Sequence, residues 1–330
     1  MAKLNSDRKI KNLTVALFAS TRPRQWIKNL ALFAPAVFTG QLINPESVLR
    51  VIFGVIIFSL LSSANYLIND ILDAKADSLH PFKKRRPIAA GALNKNLAKL
   101  VALILIFGGL IWAVQMELFF GISAFVFVIL GLLYSFWFKK LILIDVLAIA
   151  AGFILRVYAG AVIIDAHVTV WFLLAVSSLS LFLAIGKRRS ERTLLQDKAA
   201  FVRKTLLHYP ESLLDSLTAV FASSTFLTYA LFTFSEPLPQ TAPQVLILLG
   251  ENLPRTFFAT KFLMITIPFV VYGLMRYLFL IYEKKEGESP EKILISDKPL
   301  LTTCILWFLL VLLVIYGLNE KFISALLARP

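Results

Sequence analysis

Asp70, Asp73 and Asp77 stand at i, i+3 and i+7 in the stretch Asn69-Asp70-Ile71-Leu72-Asp73-Ala74-Lys75-Ala76-Asp77. On a helix, at about 100° per residue, the three carboxylates fall within a fan of roughly 60°. Like charges on one face repel each other, and the repulsion is costly where the dielectric is low. A divalent cation relieves it. The donors are hard oxygens with neither His nor Cys among them, which suits Mg2+, an ion that fills its other positions with water and phosphate oxygen. Read alone, the spacing also describes a solvated acidic loop. The residues that follow favour the metal: Pro81 and Pro87 stop the helix, and Lys83-Lys84-Arg85-Arg86 lies between them. Carboxylates with a metal, facing cations, make a cradle for a diphosphate, because Lys and Arg neutralise the oxygens the metal leaves uncovered. Lys84 and Arg85 read as plain positive anchoring, and His80 as a residue that caps or orients the turn rather than a metal ligand.

A second basic stretch, Gly186-Lys187-Arg188-Arg189-Ser190-Glu191-Arg192, carries one carboxylate. Upstream, Arg22-Pro23-Arg24-Gln25-Trp26-Ile27-Lys28-Asn29 leads into an apolar run. Trp26 reads as an interface anchor, while Lys28 and Asn29 continue inward. Arg156 lies in the middle of another apolar run, about 16 Å of helical rise from Asp145 and on the same face, whereas Asp165 points the other way. An Arg at such depth marks a functional position, and a polar stripe from Asp145 to Arg156 would line a cavity. The alternative is an Arg that pairs with backbone carbonyls between helices. The chain has no GxxxxGK[ST], HExxH or GxSxG, and His167 and His208 stand alone, so neither a triad nor a zinc site has support.

The elements that position these residues are membrane helices. The 330-residue chain is 58% hydrophobic and only 16% charged, against about a quarter charged in soluble domains. Apolar stretches long enough for a hydrocarbon core, about 20 residues each, lie near 26–43, 48–69, 97–115, 118–138, 141–164, 169–186, 213–234, 258–282 and 299–318. The expectation is an all-α polytopic membrane protein with nine transmembrane helices. The single Cys304 lies in an apolar run, so no disulfide framework is expected. A net charge of +14 would suggest nucleic acid in a soluble protein. Here it reports orientation instead, and no nucleic-acid partner is expected. With the N-terminus cytoplasmic, 28 of the 34 Lys and Arg residues fall in cytoplasmic segments, and the opposite stretch 235–257 holds one Arg. The short run Leu13–Ala19, followed by Arg22, does not read as a cleavable signal, and 4–20 is expected to be an interfacial helix. The expected organisation is a cytoplasmic or interfacial segment at 1–25, a nine-helix domain at 26–320 with active-site loops at 69–96 and 186–212, and a tail at 321–330. The chain would sit in the cell (inner) membrane.

The NDxxDxxxD element, the nine expected helices and YSFWFKK with the Asp that follows resemble the UbiA superfamily of intramembrane prenyltransferases. The likeness covers nearly the whole chain. RPRQWIKN, NDILDAKADSLHPFKKRRPIAAG, LRVYAG, GKRRSE and SDKPLL resemble, more narrowly, its decaprenyl-phosphate phosphoribosyltransferases. That resemblance implies transfer of 5-phosphoribose from phosphoribosyl diphosphate to a polyprenyl phosphate lipid, with Mg2+ as cofactor and release of pyrophosphate. It further implies that Asn69, Asp73 and Asp77, with Asp70 adjacent, hold Mg2+ on the diphosphate. Lys83, Arg86, Lys187, Arg188 and Lys28 would bind phosphates. Glu191 and Tyr134 would touch the ribose or the groups around it, and Arg156 would meet a phosphate or hold the pocket wall. Aromatic prenyltransferases carry a second Asp-rich motif after the sixth helix, where this chain has GKRRSE. A basic loop suits a substrate with phosphate at both ends.

Two rivals are carried forward. One is a prenyltransferase that moves an isoprenyl chain from prenyl diphosphate to an aromatic acceptor, which needs the second Asp motif. The other is a transporter with a polar pore, which would place charge along several broken spans. Prenyl chain length and self-association into a homo-oligomer are left open by the sequence.

Overall fold

A backbone in hydrocarbon must close its hydrogen bonds within its own segment, and helices do so. The computed structural model describes residues 13–79, 83–194, 209–235, 261–283 and 290–317. Every regular element among them is helical: α1 (Leu13–Ser20), α2 (Phe33–Phe38), α3 (Pro45–Leu79), α4 (Lys95–Met116), α5 (Leu118–Phe136), α6 (Ile144–Ile163), α7 (Val170–Leu194), α8 (Glu211–Ser235), α9 (Ile267–Tyr282), α10 (Pro290–Ser296) and α11 (Lys298–Tyr316), with short 3-10 turns between them. Eight helices among the described residues are long and apolar enough to cross a membrane. The protein is a multi-pass integral membrane protein with an all-α fold.

The eight crossings coincide with eight of the nine expected stretches. The remaining one, 26–43, is not a single long helix. It is a 3-10 segment at Pro23–Leu32, the short α2, and a 3-10 turn at Gln41–Ile43. The local reasons are visible. Arg22 (φ 54°) and Gly40 (φ 76°) both take left-handed backbone, and Pro35 interrupts the donor ladder between them. The interfacial helix expected at 4–20 is described only as α1. Residues 1–12, 236–260 and the tail 321–330 lie outside the described residues.

The chain divides into two compact units: 1–34, 49–165 and 198–208 in one, and 35–48, 166–197 and 209–330 in the other. In the first, α3 packs on α5 through the Phe58 ring, 5.7 Å from Phe120 and 4.9 Å from Phe127. Small residues on α3 and α4, Ala64, Ala74, Ala98 and Ala102, are buried with Leu67 and Leu93. Small side chains let helix backbones approach, which is how helices gain dispersion contact inside lipid. The closest approach is at Gly160 of α6, where an added Cβ would stand 2.1 Å from the Leu32 carbonyl oxygen. The 3-10 segment is thereby seated directly on α6.

In the second unit, Phe38 wedges among Phe172 (5.4 Å), Phe232 (5.1 Å) and Trp307 (6.3 Å). Arg276 of α9 forks onto Asp297 at 3.0 and 2.9 Å, and Asp297 also caps α11 by accepting from the Leu300 amide. One carboxylate thus closes a helix start and ties it to a neighbouring helix.

Gly160→Val should cost about 1–3 kcal/mol through overpacking against Leu32. Gly108→Ala, on α4 with open space around its Cβ position, should be neutral or stabilising by up to about 1 kcal/mol. Thermal unfolding of the purified protein reads both, and equal shifts would contradict the seating of the 3-10 segment on α6.

Candidate active site

Helix α3 has 35 residues, so it is roughly 52 Å long, against a hydrocarbon core of about 30 Å. The excess lets its C-terminal turns, which carry Asn69, Asp70, Asp73 and Asp77, project beyond the core. Asp70 and Asp77 are nevertheless 3% and 5% exposed. Their charges are met by cations from three other parts of the chain. Arg22 donates to Asp70 Oδ1. Arg86 bridges Asp70 at 3.1 Å and Asp77 at 2.6 Å. Lys139 donates to Asp73 at 2.6 Å and to Asn69 Oδ1 at 3.1 Å. Inside the protein such charge-assisted bonds are strong, and stripping one partner leaves a buried charge, worth about 3–5 kcal/mol.

The loop after α3 is built to present Arg86. Lys83–Arg85 form a 3-10 turn closed by the Arg86 amide on the Lys83 carbonyl at 2.9 Å. The Pro87 carbonyl accepts from the Ala92 and Leu93 amides at 2.8 and 3.1 Å. Ile88 and Leu93 are buried and pin the loop to the core. Lys84 and Arg85 are exposed, as their reading as anchors requires, and Lys83 is half-buried. His80 and Pro81 lie outside the described residues.

Arg22 is fixed by its surroundings too. Its left-handed backbone precedes Pro23, and its guanidinium lies 4.9 Å from the Tyr66 ring centroid. Beyond it the 3-10 segment runs along α3. Trp26 Nε1 donates to Ser63 Oγ and Asn29 Nδ2 to Ser59 Oγ, each at 3.0 Å. Trp26, expected as an interface anchor, is thus bonded to α3. Arg156 ends this line. Its Nε donates to Asn29 Oδ1 at 2.7 Å and its Nη1 to the Gly152 carbonyl at 2.6 Å, with Phe127 and Phe153 rings 4.6 and 5.5 Å away. Of the roles open to Arg156, this geometry gives a tie to the 3-10 segment through Asn29, while the Gly152 carbonyl it also meets lies one turn back on its own helix. Asp145, on the same helix, is buried as well, and Lys28 and Tyr134 are half-buried.

In the second unit, α7 ends in the basic stretch. Arg188, 2% exposed, pairs with Glu191, and Lys187 stands 3.9 Å from the same carboxylate. Arg189 donates to Asp215 at 2.6 Å and lies over the Tyr282 ring at 3.6 Å. Glu191, expected near a sugar, is engaged by the cations beside it. Residues 195–208 of this loop, His208 included, lie outside the described residues.

The sequence reading missed Arg22 and Lys139. Each follows the ordinary pattern of a positive charge next to a span, and only the partner across the fold distinguishes it. All the donors around Asp70–Asp77 are oxygens, and among the described residues no three His, Cys, Asp or Glu side chains gather as a metal cage. Such a donor set fits a hard ion that brings most of its own ligands, as Mg2+ does with water and phosphate. Each carboxylate has about four lone-pair sites, so its bond to Arg or Lys leaves capacity for an ion.

Comparison with known proteins bears on the family and the fold. A profile of the UbiA prenyltransferase family matches residues 30–296. The chain is 33% identical to the decaprenyl-phosphate phosphoribosyltransferase of Mycolicibacterium smegmatis, over 90% of this chain and 91% of that protein. It is 30% identical to the protein of that name from Mycobacterium tuberculosis, over 90% and 93%. A solved UbiA homolog from Archaeoglobus fulgidus bound to GPP and Mg2+ superposes with a TM-score of 0.67 at 21% identity, covering 91% of this chain and 99% of that one. This last likeness is one of fold.

Replacing Arg156 by Leu removes the donor to Asn29 and to the Gly152 carbonyl, so about 1.5–3 kcal/mol of stability should be lost. Arg156→Lys should recover part of it, because an ammonium lacks the planar fork. Thermal unfolding separates the two variants, and a Leu variant as stable as the parent would refute the tie.

Proposed function

The chain belongs to the UbiA prenyltransferase family, and on that premise we propose that it transfers 5-phosphoribose from phosphoribosyl diphosphate to a polyprenyl phosphate, releasing pyrophosphate. The observation that carries the choice within the family is the composition of the second basic stretch. Where an aromatic prenyltransferase has a second Asp-rich motif, Glu191 is the only carboxylate between 186 and 192, and it pairs with Arg188 and Lys187. That stretch suits phosphate rather than a second metal. The 30–33% identity with decaprenyl-phosphate phosphoribosyltransferases over 90% of the chain supports the same reading.

The proposed roles follow the family resemblance. Asn69, Asp70, Asp73 and Asp77 would hold Mg2+, which supplies charge neutralisation for the diphosphate leaving group. Arg86 and Lys83 stabilise charge on the departing pyrophosphate, and Lys28, Lys187 and Arg188 bind phosphate oxygens. A phosphate oxygen of the lipid attacks the anomeric carbon as the bond from that carbon to the pyrophosphate oxygen breaks. The electron pair leaves with pyrophosphate. The attacking group is already an anion, so no general base is needed, which is consistent with a candidate site assembled from acids, amides and cations. Tyr134 and Glu191 are assigned to the sugar or its neighbours. The membrane is proposed to be the cell membrane with the N-terminus cytoplasmic, in keeping with the placement of Lys and Arg.

The test is incubation of the purified protein with radiolabelled phosphoribosyl diphosphate, a polyprenyl phosphate and Mg2+. Label should enter the organic phase, and excess chelator should abolish it. Transfer from a prenyl diphosphate to an aromatic acceptor, with no ribosyl transfer, would establish the rival reading instead.

Asp73→Asn and Asp77→Asn should each reduce turnover by at least about a hundredfold while the protein stays folded and membrane-inserted, since oxyanion-type charge stabilisation is commonly of that size. Near-normal turnover in either variant would remove the carboxylates from the chemistry. Lys187→Ala should raise KM for phosphoribosyl diphosphate about tenfold or more, with little change for the lipid. Equal changes for both substrates would argue against the phosphate-binding role of the second basic stretch.

A further inference from the structure

Asn65 is a polar residue on α3 that the proposed chemistry does not use. It precedes Asn69 by one helical turn and Asp73 by two, so the three share a face, and Lys139 already joins the upper two. Its amide lies against Gly131 of α5, where an added Cβ would fall 2.2 Å from Asn65 Nδ2 and 2.8 Å from its Oδ1. The neighbouring helix thus leaves out a side chain at the point where this amide sits. Tyr134 follows Gly131 by one turn on α5. Asn65 Oδ1 is buried and has no hydrogen-bond partner among the described residues. Asn29, by contrast, is satisfied by Ser59, Ser62 and Arg156. An apolar residue would fill the same space without stranding an acceptor, and stranded acceptors in native proteins call for a reason.

We propose that Asn65 reads the sugar of the donor, its side-chain carbonyl accepting a hydrogen bond from a ribose hydroxyl. The inference rests on the phosphoribosyl-transfer reading above. With the diphosphate held at the level of Asn69–Asp77, the ring attached to it extends from that end of α3. One turn of helix separates Cβ atoms by about 5–6 Å, the reach of a pentose ring with its hydroxyl. A lone acceptor selects a hydroxyl donor and disfavours phosphate oxygens, which offer only lone pairs. It therefore sorts the sugar edge of the substrate from its phosphate ends and from the lipid phosphate. A site built to bond a hydroxyl discriminates against the analogue lacking it, because its own polar atom is left unpaired.

The test compares phosphoribosyl diphosphate with its 2-deoxy and 3-deoxy analogues, each with the same polyprenyl phosphate. The wild-type protein should lose about ten- to a hundredfold in kcat/KM with one of the two analogues. Asn65→Leu should lose a similar factor with the full donor and almost nothing further with that analogue, so that the preference collapses towards one. Asn65→Asp, which keeps an acceptor oxygen, should keep the preference. Asn65→Ser, too short to reach, should behave as Leu does and serves where Leu does not fold. A variant that slows all donors by one factor has lost structure only, and overturns the proposal, as does a wild-type protein indifferent to both hydroxyls. Wild-type protein that transfers no ribosyl phosphate at all fails at the earlier step and removes both readings together.

Discussion

The candidate site depends on electrostatic satisfaction at the end of one helix. Asp70, Asp73 and Asp77 project from the last turns of α3, and each is held by a cation from elsewhere in the same unit: Arg22, Arg86 and Lys139. Three carboxylates on one face would unsettle a helix end beside a membrane if left to themselves. Met by three cations, they instead fix the segment before the first long span, the loop after α3 and the turn after α5. The same ion pairs that stabilise these connections prepare the chemistry. They hold the acids and bases on which the proposed metal and phosphate binding rests in one cluster.

The polar line that continues inward follows the same rule. Ser59, Ser62 and Ser63 on α3 meet Asn29 and Trp26, and Asn29 in turn meets Arg156. Each group finds a partner because an unmade bond in this environment is expensive. Arg156 is a case in which a buried charge is held by an amide oxygen, a backbone carbonyl and aromatic faces. Such a tie brings the 3-10 segment against α6, where Gly160 gives the room.

Membership of the UbiA prenyltransferase family sets the fold and the transferase class, but one fold hosts several chemistries. What distinguishes them is the charge on a few loops. In this chain α3 carries an acidic element, while the stretch at the end of α7 is basic and its carboxylate is taken up by its own cations. The proposed choice of a second phosphate over a second metal rests on that basic stretch.

Much of this was legible in the linear chain. Hydrophobic length located eight of the membrane helices, because the lipid imposes the same length and hydropathy on each span. The i, i+3, i+7 spacing placed Asp70, Asp73 and Asp77 on one face, because helical periodicity is local. The break of 26–43 into short pieces was not foreseen, although Pro35 and Gly40 lie within it: its apolar length suggested one span, and the left-handed backbone at Arg22 and Gly40 emerges only in the fold. Nor could the sequence single out Arg22 and Lys139 from other cations flanking spans, since their partners lie 48 and 66 residues away along the chain. Arg156 drew notice by its depth, but its bond to Asn29, 127 residues distant, had to come from the fold. The sequence by itself determined the membrane helices and the kind of charge at their ends, while α3 runs on to Leu79 and α7 to Leu194, beyond the spans expected at 48–69 and 169–186. Only the tertiary structure decided which charges meet, because pairing depends on distance in space, and local spacing is silent about it.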